Sequence, residues 1–161
     1  MKANAYRPHV LVIPEDTGLA DIAIGFAKEC LNIQVDPPTE GKVKLARQFM
    51  DEEIGKLRRF PSRTLVLLRD IDQIPQSDLW RDVPADLVDR VFIFGPLDEF
   101  ESLRTELRLT GKVRPNTPER IGELLAEECR ANVMDLWKTA QLAHLGSEVA
   151  RARAKSKEVI F

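Results

Sequence analysis

The chain has 161 residues, 43% of them apolar and 31% charged, with a net charge of −2. That size suits one domain, and the balance of apolar and charged residues excludes a disordered chain. The near-neutral charge excludes a surface coated in cation for nucleic acid, although not a local basic patch, and no apolar run reaches the length of a membrane span.

In chain order, HVLVI (His9 to Ile13) reads as a buried strand that runs straight into Pro14, Glu15 and Asp16. The stretch before it lacks the layout of a signal peptide, so a cytoplasmic protein is expected. Leu19, Ile22, Ala23, Phe26, Ala27 and Cys30 then recur at helical spacing, with Asp16 or Thr17 as the cap. IQV (Ile33 to Val35) is a short strand, and Gln34 marks it as an edge. A second helical stripe takes in Val43, Ala46, Met50, Ile54 and Leu57. Lys42 and Lys44 stand at its start, placed to contact a phosphate.

TLVLL (Thr64 to Leu68) is the third strand and continues into Arg69, Asp70, Ile71 and Asp72. The next segment, QIPQSDLWRDVPADLVD, holds two prolines and reads as a loop with one or two helical turns. VFIF (Val91 to Phe94) is the fourth strand, followed by Gly95, Pro96, Asp98, Glu99 and Glu101. Three helical patterns follow. The second opens at NTPER, with Thr117 as cap and Pro118 in the first helical position. The last runs from about Val133 to Ala154 and ends in basic residues, as a helix C-terminus favours. EVIF, at 158–161, is expected as a short strand or a docked tail. Cys30 and Cys129 both sit in helical patterns without metal or redox spacing and read as buried thiols.

Strands that are continuously apolar are covered on both faces, which implies a parallel sheet wound on both sides by helices. The expected fold is a three-layer α/β domain with four parallel strands in the order 2-1-3-4. Its core spans about 8–110, and a helical extension spans about 116–161. Right-handed crossovers put the C-terminal ends of all strands on one rim, where such folds bind ligands. Three of the four strands release acidic residues there. With the first and third strands about 4.8 Å apart, Glu15 and Asp70 can share an ion. Asp72, two residues on, falls on the side of Asp70 in an extended chain. Carboxylates this close repel unless a cation lies among them, and hard oxygen ligands suit Mg²⁺ or Mn²⁺.

VIPED, LLRDID and DEFESL, in this order after successive strands, resemble the acidic motifs of Toprim domains, found in topoisomerases and primases. Small bacterial Toprim-like proteins show the likeness over nearly the whole chain. The resemblance implies Glu15 as a metal ligand and general base, Asp70 and Asp72 as Mg²⁺ ligands, and Glu99 or Glu101 completing a second metal site. Lys42, Lys44 and Arg69 would then serve the phosphate. It implies metal-dependent phosphodiester chemistry on nucleic acid, in phage defence or DNA maintenance. Two other readings stay open. A phosphoacceptor receiver domain would use Asp70 as its acceptor, although Gly95 stands where that fold needs Ser or Thr. A degenerate Toprim scaffold would only bind a partner protein.

Overall fold

The computed structural model describes residues 6–156. Four parallel strands form one sheet in the order β2-β1-β3-β4: β1 is His9–Pro14, β2 Ile33–Val35, β3 Arg63–Leu68 and β4 Val91–Phe94. The α/β class and the 2-1-3-4 order are as expected. Alternation along the strands sends side chains to opposite faces. Val10 and Val12 join the larger core, while Leu11 and Ile13 join the smaller. Helices therefore cover both faces.

The larger core holds α1 (Thr17–Ala27), α5 (Phe100–Thr110), α6 (Pro118–Ala131) and α7 (Gly146–Ser156). Asp16 caps α1, accepting from the Leu19 N–H at 2.9 Å, and Thr117 caps α6 through the Arg120 N–H at 3.3 Å. Helices α1 and α6 lie backbone to backbone. A Cβ at Gly25 would stand 2.0 Å from the Glu119 carbonyl, and one at Gly122 would stand 1.9 Å from that of Ile22. The extension after residue 116 thus shares the core of the sheet.

The smaller core lies under α2 (Lys42–Gln48), a π-helical turn (Phe49–Glu53) and α3 (Ile54–Arg59), which run on without a break. Here the expected stripe is corrected. Val43 and Met50 are exposed, and the inward residues are Leu45, Phe49, Glu53 and Leu57. Steps of four residues drift by about 40° on a regular helix. The wider π turn takes up that drift and keeps all four facing the sheet. A short helix α4 (Gln76–Leu79) and a 3₁₀ turn (Ala85–Arg90) fill the loop before β4.

The single helix expected from Val133 to Ala154 is also corrected. The chain makes 3₁₀ turns at Leu136–Lys138 and Ala143–Leu145 before α7 begins. Asn132, in the left-handed region, ends α6. Folding back in short turns lets Leu136, Trp137, Leu142 and Leu145 all reach one core. Helix α7 then closes the free edge of β4. The buried Glu148 accepts from the Ile93 N–H at 2.9 Å, and Arg151 donates to the carbonyls of Val88 and Val91. Cys30 lies past the end of α1 and is partly exposed, which corrects its helical placement. Cys129 is buried in α6, and burial pushes its thiol up to about 11. The segment expected at 158–161 lies outside the described residues.

Candidate functional site

Pairing of β1 with β3 ends at Pro14 opposite Leu68, so the acids that follow emerge side by side. The Glu15 N–H donates to the Leu68 carbonyl at 2.8 Å. The Asp70 N–H donates to Oε2 of Glu15 at 3.0 Å. Glu15 is only 8% exposed. Burial raises its pKa above the usual carboxylate range, and the Asp70 N–H, Lys42 and Arg69 offset part of the rise.

Asp70 is pushed further, up to about 6. Burial is the main cause, and the charges of Asp16 and Glu15 add to it. The Phe100 N–H at the start of α5 and the Lys42 ammonium pull the other way. Oδ1 of Asp70 is buried with no hydrogen-bond partner among the described residues. Asp16, expected only as a cap, thus also acts on this carboxyl.

The backbone beyond β3 zips against the backbone beyond β4. Arg69, Ile71 and Gln73 donate to the carbonyls of Phe94, Pro96 and Leu97 at 2.9, 3.0 and 2.9 Å. Gly95 permits this approach: its φ is 157°, and a Cβ there would sit 1.5 Å from the Arg69 carbonyl. Asp72 and Gln73 follow in the left-handed region, at φ 51° and 56°. Each such non-glycine residue costs about 1 kcal/mol or more. The surroundings hold them there. Asp98 accepts from Gln73 Nε2 at 2.6 Å and from Gln141 Nε2 at 2.8 Å, which lowers its pKa. Gln141 also binds the backbone of Leu97 and Asp98. Sequence reasoning missed this Gln73–Asp98–Gln141 bracket. Its one trace is the polar Gln141 between the apolar Ala140 and Leu142 in TAQLAHLG.

The structure brings Glu15 and Asp70 together and places Asp72 on the same rim, ion-paired with Lys42 at the start of α2. Arg69 turns its Nε back to the Asp70 carbonyl at 3.1 Å. Lys44 is exposed on α2. Glu99 is exposed at the N-cap of α5, with no side-chain capping bond. Glu101, in the first turn of α5, pairs with Arg104 at 3.9 Å. Neither glutamate bonds to Glu15 or Asp70. Among the described residues, no group of three or more His, Cys, Asp or Glu side chains is placed to hold a metal ion.

No family model, curated protein or solved structure matches this chain. Among the described residues, no helix is long and apolar enough to cross a membrane.

Proposed function

We propose that the chain is a Toprim-like protein whose rim binds Mg²⁺ or Mn²⁺ between Glu15 and Asp70 and supports phosphodiester chemistry on nucleic acid. Oδ1 of Asp70 carries this reading. It is a buried acidic oxygen without a partner, next to a second buried carboxylate. Such an oxygen, once ionised, calls for a cation. Mg²⁺ keeps most of its waters and needs only one or two protein carboxylates, so a pair suffices. When bound, the ion would polarise a phosphoryl oxygen and acidify its water.

The chain's own residues supply the rest. The Asp70 N–H fixes the orientation of Glu15. Lys42 and Arg69 place positive charge beside the pair, which favours the approach of a phosphate. Lys44 and the exposed end of α2 offer a further backbone contact. A net charge of −2 leaves few cations to neutralise a strand, so unaided affinity is weak and falls with salt. Activity is therefore expected at low salt or with a basic partner protein.

The test is nicking of plasmid and cleavage of single-stranded DNA and RNA with Mn²⁺ or Mg²⁺. Glu15→Gln and Asp70→Asn should each abolish activity while the protein stays folded. Activity that survives in Asp70→Asn places the chemistry elsewhere. Stable phosphorylation of Asp70 by a small phosphodonor replaces this reading with the receiver one. No response to divalent ions in activity or in stability leaves the rim as a docking scaffold.

A further inference from the structure

On the other side of the 70–73 segment lies a cavity of about 280 Å³ between that segment, β4 and the start of α7. Asp70 and Asp72 serve the acidic rim, whereas Ile71 and Gln73 line this cavity. One strained turn is thus the shared wall of two sites. Ile71, Trp80, Ile93 and Leu97 give the cavity apolar surfaces. Arg151 lies 4.4 Å from the centre of the Trp80 ring and takes one of its faces. Gln73, His144 and Ser147 supply polar groups. The second cavity, of about 110 Å³, lies inside the larger core with almost no polar lining and offers nothing to orient a ligand.

The polar groups are neutral. Burial holds the His144 imidazole below its usual range, and a neutral imidazole offers one donor and one acceptor nitrogen. The carboxylate of Glu148 also lines the cavity, already engaged by the Ile93 N–H and by Arg151. An anion would meet this carboxylate, and an aliphatic chain would make no use of the imidazole, the hydroxyl or the Gln73 carbonyl oxygen, whose Nε2 is already held by Asp98. A flat heteroaromatic ring with donors and acceptors along its edge satisfies both walls. Space is sufficient, since about 150 Å³ holds benzene.

We propose that this cavity receives an unpaired base of a nucleic-acid strand whose backbone crosses the neighbouring acidic rim. This rests on the phosphodiester reading above and adds the part of the substrate that is gripped. Enzymes that act on strands take bases out of the stack into pockets of this composition, reading the edge by hydrogen bonds and the face by apolar contact.

The test is ligand-observed NMR on the full chain with adenosine, ribose, indole and a trinucleotide, first without metal. Adenosine should bind saturably and ribose should not. Ser147→Trp should weaken adenosine at least tenfold with an unchanged melting temperature, because the exposed Ser147 borders the cavity outside the core. Asp70→Asn should bind adenosine as the parent does, which separates this site from the metal site. The trinucleotide should bind more tightly than adenosine once Mn²⁺ is added. The proposal is overturned by absent adenosine binding at millimolar concentration, by indifference to Ser147→Trp, or by loss in Asp70→Asn. Indole binding as well as adenosine also overturns it, since the edge is then not read. A trinucleotide no tighter than adenosine removes the strand.

Discussion

At the N-terminal end of the sheet, Glu53 is 1% exposed, with Lys56 at 3.3 Å and Arg63 at 3.6 Å. Arg63 is itself held, its Nε donating to His9 Nε2 at 3.0 Å and its guanidinium lying over Phe60. The Nδ1–H of His9 completes the set at the Arg7 carbonyl. At the C-terminal end, Glu15 and Asp70 are enclosed without an ion pair among the described residues, and Lys42, whose charge reaches both, is paired with Asp72. Both ends bury acid. Among the described residues, neither Glu53 Oε2 nor Asp70 Oδ1 has a hydrogen bond, but Glu53 Oε2 has the Arg63 guanidinium at 3.6 Å, whereas the other end answers its acid with backbone N–H groups and no ion pair. A buried acid paired within the chain is a structural element. A buried acid left short of a cation has capacity for one from outside.

The sharpest way to break this contrast is to remove the built-in cation. Arg63→Leu should lose about 3 kcal/mol in urea unfolding, because it takes the cation from Glu53 Oε2, leaves the half-exposed Lys56 as the partner on Oε1, and removes the Arg63 bond to His9. A loss below about 1 kcal/mol would make the two ends alike. Mn²⁺ sharpens the comparison from the other side. At about one hundred times its dissociation constant it should add about 2.7 kcal/mol, a rise of several degrees in melting temperature. Asp70→Asn should remove that rise, and Arg63→Leu should keep it.

The pH dependence of stability in metal-free buffer separates the ends next. Asp70 holds its proton more tightly in the folded chain, up to about 6 against an ordinary 3.8. Its contribution is therefore fully present below 3.8 and is lost as pH rises through about 6. The stability of Asp70→Asn relative to the parent should rise by about 2 kcal/mol between pH 4 and pH 8. A flat difference would mean that the carboxyl is solvated. The smallest effect belongs to Glu101→Gln. Its exposed pair with Arg104 should contribute under about 0.5 kcal/mol, and the Mn²⁺ shift should stay intact. Loss of the shift would bring Glu101 into the metal site.

The strands were legible because continuous apolar runs between turn residues admit few other structures. The caps at Asp16 and Thr117 were legible because a short polar side chain before a helical pattern has one good use. The stripe placed Leu57 correctly but misled at Val43 and Met50, since two apolar faces wind round α2 and only the sheet selects Leu45 and Phe49. The long helix after Val133 misled because its apolar spacing fits a helix locally. A straight helix there would carry Leu136 and Leu145 to different places, and one core claims both.

The sequence by itself determined the α/β class, the four strands, the order that sets Glu15 beside Asp70, and the clustering of acid on one rim. The class and the strands rest on local pattern, the shared rim on the handedness of crossovers, and the order on the requirement that the acids after the first and third strands meet. Only the tertiary structure decided which acids meet. Side-chain partners depend on a few ångströms of backbone placement that no periodicity encodes. The close approach at Gly95, the left-handed pair Asp72–Gln73 and the Gln141 bracket fix that placement. With it, Asp72 goes to Lys42, Glu101 stays with Arg104, and Asp70 keeps a buried oxygen without a partner.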